Sequence, residues 1–523
     1  MPLPAGGTWP PAPYAPIFEQ YRLLDTWYQG DPDRLSTLYS AQPDQTPRTR
    51  PSQRRGGLLG KISRFFWGEP TPVGQQRRRL HVPIASDIAT MSSDLLFSEP
   101  PSINVTNPET QAAIDDMIPG LQATLLGASE IGAALGGYFL RAVWDSAIAP
   151  LPWLDRVDAD AAVPEFRWGK LWAVTFWRTI EDTSDGKCLL HLERHEPGWI
   201  FNGLYLGTPG TLGEAMPLTA HPETAHLEPA VATGLTRVTA VYVPNMLPNR
   251  DWRTSAIGQH LGRSDFAGPV LGFMDALDET WAAWMRDVRL GKARLIVPSA
   301  YLQSQGPGQG ATFDLDRELY EGVNMLGGDA ERLDISPQQM AIRVAEHRDT
   351  CAEQLAVILR ATGYSAQSFG LSGEVAVTAT EVTAKERRSL ITKSRKALYS
   401  TPELEEGIEM ILQLRAGPLF SSDVVPERPQ VNFGDSVAPD IQALATTAEL
   451  MRRAEAASDE TLVRMLHPDW DATQVSAEVD RLAAERGGMT DPIERMTGLA
   501  QQAGALPVDD GQDDADGDPD GEE

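Results

Sequence analysis

The feature that most restricts how this chain can fold lies in its second half. Between Val270 and Val288, positions 270, 273, 274, 277, 281, 284, 285 and 288 are all apolar, which is one stripe of a long helix. Asp275, Asp278 and Glu279 come early and Arg286, Arg289, Lys292 and Arg294 come late, an order that complements a helix dipole. Such a stripe has to be covered, and Phe273, Leu277, Trp281 and Trp284 are its packing residues. A strand-like run follows at 294–297, then a Gly/Gln loop at 303–310. Ser336-Pro337-Gln338-Gln339 has the pattern of a capping box with proline at the first helical position, so a second helix is predicted from 336 to 362, before Gly363. Thr378 and Glu381 are spaced as another box, opening a helix to Leu398; further helices are predicted at 402–416, 440–456 and 471–486.

The first half has a different texture. Residues 15–40 are helical in pattern, with Phe18, Tyr21, Trp27 and Tyr28 among polar neighbours and a break at Gly30-Asp31-Pro32. A second helix over 82–96 is stopped by Pro100-Pro101, a strand follows at 102–105, and a helix is predicted over 109–134. From 137 to 243 the pattern becomes β, with runs at 138–144, 171–177 and 238–243 between Pro/Gly/Asp turns. No internal repeat is visible. A chain of 523 residues is too long for one hydrophobic core, and the fold class is α+β in several regions.

The net charge of −28 excludes binding DNA by a broad basic footprint. Nine of those negative charges sit in residues 509–523, which hold no basic residue, and the remaining nineteen belong to residues 1–508. The end segment is expected to be a disordered acidic tail. The stretch 43–79 runs the other way: nine basic residues and one acid between Arg48 and Arg79, around a local cluster at Ile62-Ser63-Arg64-Phe65-Phe66-Trp67. It reads as a flexible basic arm, either a solvated loop or a contact with DNA or a partner. No stretch reads as a transmembrane helix, since 120–144 carries Gln122, Glu130 and Arg141, and residues 1–16 lack the basic and apolar regions of a signal peptide. Cys188 and Cys351 can supply neither a disulfide framework nor a four-cysteine zinc site, so synthesis in a reducing cytoplasm is expected.

Four apparent chemical motifs fail on their spacing. Gly56-Gly57-Leu58-Leu59-Gly60-Lys61-Ile62-Ser63 has three residues, not four, between Gly56 and Gly60, and Ile62 stands where a magnesium-binding hydroxyl is needed. In His191-Leu192-Glu193-Arg194-His195 the glutamate is one place too late for a zincin base, and the segment reads as a strand. His221 and His226 lie in a Pro-rich loop without a matching ligand, and Asp516-Gly517-Asp518-Pro519-Asp520-Gly521 copies only the first half of a calcium loop. No Gly-x-Ser-x-Gly elbow occurs. The chain is therefore expected to be non-enzymatic, with no cofactor, metal or catalytic residue.

The order of these elements, with several local runs, resembles the portal proteins of tailed bacteriophages. Leu80-His81-Val82-Pro83-Ile84-Ala85-Ser86-Asp87-Ile88-Ala89 leading to Leu96-Phe97-Ser98-Glu99-Pro100-Pro101 is similar to the portal opening helix. Tyr242-Val243-Pro244-Asn245-Met246-Leu247-Pro248-Asn249-Arg250 resembles the approach to the portal stem in actinobacterial siphophages. Gly262-Arg263-Ser264-Asp265-Phe266, with Leu277-Asp278-Glu279-Thr280-Trp281 and 284–292, carries the strongest part of the likeness. The resemblance spans residues 15–460 and rests on packing signatures.

That resemblance implies a clip–stem–wing–crown architecture assembled as a ring, a dodecamer at one capsid vertex, through which double-stranded DNA is packaged and ejected. The implied layout is an N-terminal helix and arm at 1–80, a wing at 81–265, stem helices at 266–290 and 336–362, and a clip at 291–335. A channel loop and wing helix follow at 363–435, crown helices at 436–508, and the tail at 509–523. Implied partners are the terminase large subunit, head-completion and adaptor proteins, the major capsid and scaffold proteins, and other copies of the chain; no membrane is implied. The chain would be made in the host cytoplasm and reside in the virion. A constriction would fall in 363–377, with Gly363, Gly370 and Gly373 as hinges. Lys385, Arg388 and Lys393, with Arg387, Arg395 and Lys396 beside them, are candidate DNA-facing bases; the alternative is a solvated or intersubunit salt-bridge surface. The arm at 43–79 has no counterpart in the family. A different head–tail connector or minor capsid protein is the competing structural reading, and an enzyme of unrecognised family the third.

Overall fold

A computed structural model describes residues 6–41, 80–183, 186–290, 342–371, 379–434, 441–467 and 472–487, besides Pro4, Trp470 and four short paired fragments between 294 and 338. The arm at 43–79, Gly373, Thr378, the half calcium loop and the acidic tail lie outside the described residues. The chain divides into two compact units, Met1–Ser436 and Val437–Glu523.

The first unit opens with β1 (Gly7–Thr8) and helices α1 (Ala15–Gln29) and α2 (Pro32–Ala41), split at Gly30-Asp31-Pro32 as the sequence predicts. Asp31 Oδ1 accepts the backbone N–H of Asp33 at 2.8 Å and so caps α2. Helix α3 (Ile84–Phe97) ends before Pro100-Pro101, and β2 (Ser102–Asn104) follows. The single helix predicted over 109–134 is two: α4 (Pro108–Asp115), capped by Asn107, and α5 (Ile118–Leu135). Pro119 has no N–H to give to a carbonyl four residues back, and the chain restarts its helix there.

The β region holds nine strands. They are β3 (Gly137–Val143), β4 (Trp153–Asp158), β5 (Ala162–Arg167), β6 (Lys170–Asp182), β7 (Cys188–Glu196), β8 (Trp199–Thr208), β9 (Thr211–Met216), β10 (Ala230–Ala232) and β11 (Ala240–Pro244). An antiparallel sheet runs β1-β9-β8-β7-β6-β5 with β10 also on β8, and a second runs β11-β3-β4. Aromatic contacts join the two: Phe139 of β3 lies 5.7 Å from Phe176 of β6, edge to face, and Tyr242 of β11 lies 5.8 Å from Phe166 of β5, while Phe139 and Tyr242 pack together within the small sheet at 4.8 Å. Arg141 of β3 is paired with Glu193 of β7, and wholly buried His195 shares hydrogen bonds with Glu193 and Thr239, 2.7 Å each. The zincin-like pentapeptide is thus a strand whose second histidine ties two sheets together, and no cluster fit to hold a metal occurs among the described residues.

Beyond the sheets come α6 (Val270–Leu290), the fragments β12 (Arg294–Ile296), β13 (Gln303–Ser304), β14 (Ala311–Thr312) and β15 (Ser336–Gln338), then α7 (Val344–Thr362) and α8 (Ala379–Ala416). Strand β12 pairs antiparallel with β15 and β13 with β14, so these fragments form two nested pairs. This corrects the predicted helix start: Ser336-Pro337-Gln338 is a strand with Pro337 opposite Leu295, a pairing an edge strand tolerates, and the helix begins at Val344. The boundary between insert and second helix accordingly moves from 335/336 to 343/344. A second correction concerns the predicted helices at 378–398 and 402–416, which form one helix running through Pro402. Proline removes a single backbone bond there, and the following turns are held by buried Leu404, Ile408, Ile411, Leu412 and Leu414. Strand β16 (Gln430–Asn432) closes the unit by pairing with β2.

Two clusters make up the main core of this unit. One joins α1, α3, the large sheet, α6 and α7; the other joins α3, α4, α5, the small sheet and the C-terminal half of α8. The second unit contains α9 (Ile441–Arg453), α10 (Asp459–Leu466) and α11 (Ala472–Gly487), with Leu462, Val463 and Val475 buried. Helix α10, capped by Ser458, was not predicted from the sequence.

One carboxyl on α8 gives the fold a testable pH dependence. Burial, helped by nearby Glu406, pushes Glu403 up to about 7 from an ordinary value near 4.5. A carboxyl whose folded pKa is raised binds its proton more tightly when folded, so stability falls as pH rises from about 4.5 to about 7 and stays lowered above that. Glu403→Gln should therefore melt at a higher temperature than the parent at pH 8 and at the same temperature below pH 4.5; thermal melts across that range check it.

Candidate functional site

Helices α6 and α7 lie antiparallel, because the late part of α6 meets the start of α7. Asp287 of α6 accepts from His347 Nε2 at 2.9 Å and from Arg343 at 3.0 Å. Hydrogen bonding by His347, then by Arg343, lowers the Asp287 carboxyl below its ordinary value. The Trp284 ring is stacked on His347 with centroids 6.1 Å apart and planes 8° from parallel, and Trp281 lies 5.1 Å from Trp284. Of the predicted packing residues, Leu277 is fully buried, Trp281 and Trp284 are half-buried against the first core, and Phe273, at the rim of the stripe, is 42% exposed. Leu277 therefore packs inside its own chain, and Phe273 is the member left on the surface.

The middle of α6 is fixed just as firmly. Asp278, 1% exposed, accepts the backbone N–H of Val82 at 2.8 Å and lies 2.8 Å from His81 Nδ1. Its early place in the helix suits the helix dipole, and in the fold Asp278 is a buried anchor for the chain leading into α3.

At the root of the helix pair sits a buried polar hub. Asp265, just before α6, accepts from Lys396 Nζ at 2.5 Å and from the Tyr364 hydroxyl at 2.8 Å on one carboxylate oxygen. Its other oxygen accepts from the Asn245 side chain at 2.8 Å, and its backbone N–H donates to Ala133 of α5 at 2.9 Å. Lys396 also donates to Ser92 of α3. The ion-paired side chains are essentially inaccessible, 2% for Lys396 and 0% for Asp265. Burial drives the Lys396 amine below its ordinary value, and Asp265 opposes that fall. Burial likewise raises the Tyr364 phenol. Residues from α3, α5, the 245–265 connection, the end of α7 and α8 thus converge on Asp265 and its partner Lys396.

The loop after α7 is pinned to α8. The Gly363 carbonyl accepts from Thr392 Oγ1 at 2.6 Å, and Arg388 donates to the Arg360 carbonyl at 2.5 Å. The hydroxyls of Ser365, Ser368 and Ser389 form a triangle of 2.8–3.1 Å contacts, and Ser365 N–H also donates to Ser389 at 3.0 Å. Gly363 has φ 95° and ends α7; a Cβ there would meet Thr392 Oγ1 at 2.8 Å. Gly370, φ 67°, closes the short turn at 367–369 with open space around it. Both hinge candidates are accounted for as a helix cap and a turn, and the remainder of the predicted constriction, with Gly373, lies outside the described residues.

The basic candidates on α8 separate sharply. Lys393 is 8% exposed and gives its ammonium to the Gly434 carbonyl at 2.5 Å, and Lys396 belongs to the hub; burial removes both from the DNA-facing set. Arg387, Arg388 and Arg395 are exposed, and the side chain of Lys385 is outside the described residues. The hub residues Asp265, Tyr364, Asn245 and Ser92 were not singled out from the sequence as a unit, although Asn245 and Asp265 fall in the runs that carry the family resemblance.

No family model matches the chain, and no curated protein does. Among solved structures the chain is similar to the neck of a native GTA particle computed with C12 symmetry, at 13% identity over 79% of this chain and 99% of the other, TM-score 0.40. It is similar also to the neck of an empty GTA particle computed with C6 symmetry, at 16% identity over 78% and 99%, TM-score 0.39. Likenesses of this size assign neither family nor activity. What the geometry defines is a mixed helix-and-strand chain with an antiparallel helix pair rooted in a buried ionic hub. No described helix is long and apolar enough to cross a membrane.

The hub predicts an asymmetric response to mutation. Lys396→Met leaves Asp265 buried without its cation and should destabilise the chain by about 3–5 kcal/mol. Adding Asp265→Asn should recover part of that loss, because an amide is cheaper to bury than an unpaired carboxylate. Thermal and urea denaturation of the single and double variants measure the difference.

Proposed function

We propose that this chain is a portal-type head–tail connector: a non-catalytic subunit that closes into a ring, at twelvefold order, around a channel for double-stranded DNA. The observation that supports this best is the antiparallel pair α6/α7. It is locked at its far end by Trp284, Asp287 and His347, rooted at Asp265, and encloses the paired fragments β12–β15. That is the stem-and-clip arrangement which the sequence resemblance implies, with the clip extended to 343. In this reading the two sheets and α8 form the wing, the second unit supplies the crown, and the insert meets the terminase large subunit and then the head-completion proteins.

The charge fits the same role. A net −28 per chain, repeated around a ring, repels the phosphate backbone and lets a duplex slide without tight adhesion. Rigid helices suit a channel wall, because a wall that deforms under load cannot hold its bore.

Negative-stain microscopy of the purified chain tests the reading. The expected result is a symmetric ring with a central hole of duplex width. Monomeric particles under assembly conditions overturn it, and a closed ring too narrow for a duplex moves the chain to another connector role.

A further inference from the structure

The N-terminal half of α8 is turned inside out. The side that faces its own chain is polar: Ser389, Thr392, Lys393, Lys396 and Ser400 are buried. The opposite side carries Ile391 at 56% and Leu398 at 68% exposure, flanked by exposed Arg387, Arg388, Ser394 and Arg395. Helices of globular chains ordinarily put aliphatic residues inward, and this outward Ile/Leu pair has no apolar cover among the described residues. Among the described residues no carboxylate binds these arginines. Arg388 is bonded to the Arg360 carbonyl, Arg395 to the Leu247 carbonyl at 3.2 Å, and Arg263 lies within electrostatic reach of Arg395. In a chain of net −28, such a patch asks for an acidic protein surface.

We propose that this face of α8 docks a second copy of the chain, which meets it with the outer face of α7. The part of that face between 345 and 356 has the complementary chemistry, with exposed Arg360 beyond it. Glu346, Asp349 and Glu353 are exposed along it, beside exposed Ala345, Ala352 and Ala356. Asp349 is paired with neighbouring Arg348 at 3.2 Å, whereas no cation binds Glu346 or Glu353 among the described residues. The spacings agree: Arg388 and Arg395, Ile391 and Leu398, Glu346 and Glu353, and Ala345 and Ala352 are each seven residues apart, about 10.5 Å along a helix. Two arginines therefore meet two glutamates at once while the aliphatic pair settles over alanines. The two faces are different surfaces of one chain, so the contact is head-to-tail, and repeating it generates a ring when the rotation closes. A duplex is the poorer occupant, because phosphates take the arginines and leave Ile391 and Leu398 uncovered at the centre of the face.

The inference rests on the ring reading, and the experiment separates the two. The full chain, Arg388→Glu/Arg395→Glu, Glu346→Arg/Glu353→Arg and the combination of all four are compared by light scattering after gel filtration, with circular dichroism confirming the fold. Leu398→Asp is added because Leu398, unlike the arginines, has no hydrogen bond to lose within its chain. The expected result is a ring for the parent, at least tenfold weaker assembly for each double variant and for Leu398→Asp, and restoration in the fourfold variant. Parent rings with unchanged variants overturn this interface and leave the ring standing, whereas a monomeric parent overturns both. Loss without rescue overturns it as well. So does weakened binding of a short DNA duplex by the arginine variant with assembly unchanged, which assigns the face to nucleic acid.

Discussion

The carboxylate of Asp265 is the point on which the first unit turns. An ion pair buried this deeply pays a desolvation cost that its Coulomb attraction alone does not reliably offset, so its value lies in geometry more than in raw stability. Lys396 reaches it from α8, Tyr364 from the end of α7, Asn245 from the chain after β11, and Ala133 of α5 accepts its backbone N–H. Each of these groups would be an unsatisfied buried dipole or charge if the elements shifted by an ångström or two. A hydrophobic contact in the same place would tolerate sliding. The hub fixes position where a greasy core would fix only proximity.

Rigidity propagates from there along the helix pair. Asp278 ties the middle of α6 to the chain at Val82 and His81, and Asp287 ties its C-terminal end to α7. Buried Met274 and Leu277, on the N-terminal side of these polar fasteners, add apolar contacts that contribute favourable free energy but little direction. The same division recurs between the sheets, where Phe139, Phe176 and Tyr242 fill the space and Arg141, Glu193, His195 and Thr239 set the register. A chain built in this way holds its elements at fixed positions.

Those regularities explain what the sequence makes legible. Elements whose periodicity reflects burial were readable: the stripe of 270–288, the β texture of 137–243, and the break at Gly30-Asp31-Pro32. Local signals misled where tertiary packing overrode them. The capping pattern at 336–339 is intact as a pattern, yet those residues pair with 294–296, and Pro402 is carried through a helix whose far half is buried. The hub was hidden for a deeper reason. A lysine on a charged helix is ordinarily solvated, and nothing in the spacing of Lys396 announces that its partner lies in a loop far upstream at Asp265.

Helix α8 shows how that failure becomes information. Its C-terminal half follows the usual rule, with Leu404, Ile408, Ile411 and Leu412 inward, so the helix is not simply ill-patterned. The reversal is confined to the turns that serve the hub and the 363–371 loop, where hydroxyls and ammonium groups are needed inside. Polar groups can be buried there because each finds a partner, but the need for them does not explain aliphatic residues on the opposite side. Solvated arginine, lysine or glutamate would serve as well on a free surface and would carry no cost in solubility. Local consistency between pattern and environment is the rule for folded chains, and departures from it mark places where another demand acts. Ile391 and Leu398 face outward beside Arg388 and Arg395, whose partners among the described residues are carbonyls, so the proposed contact with a second copy supplies the demand that accounts for them.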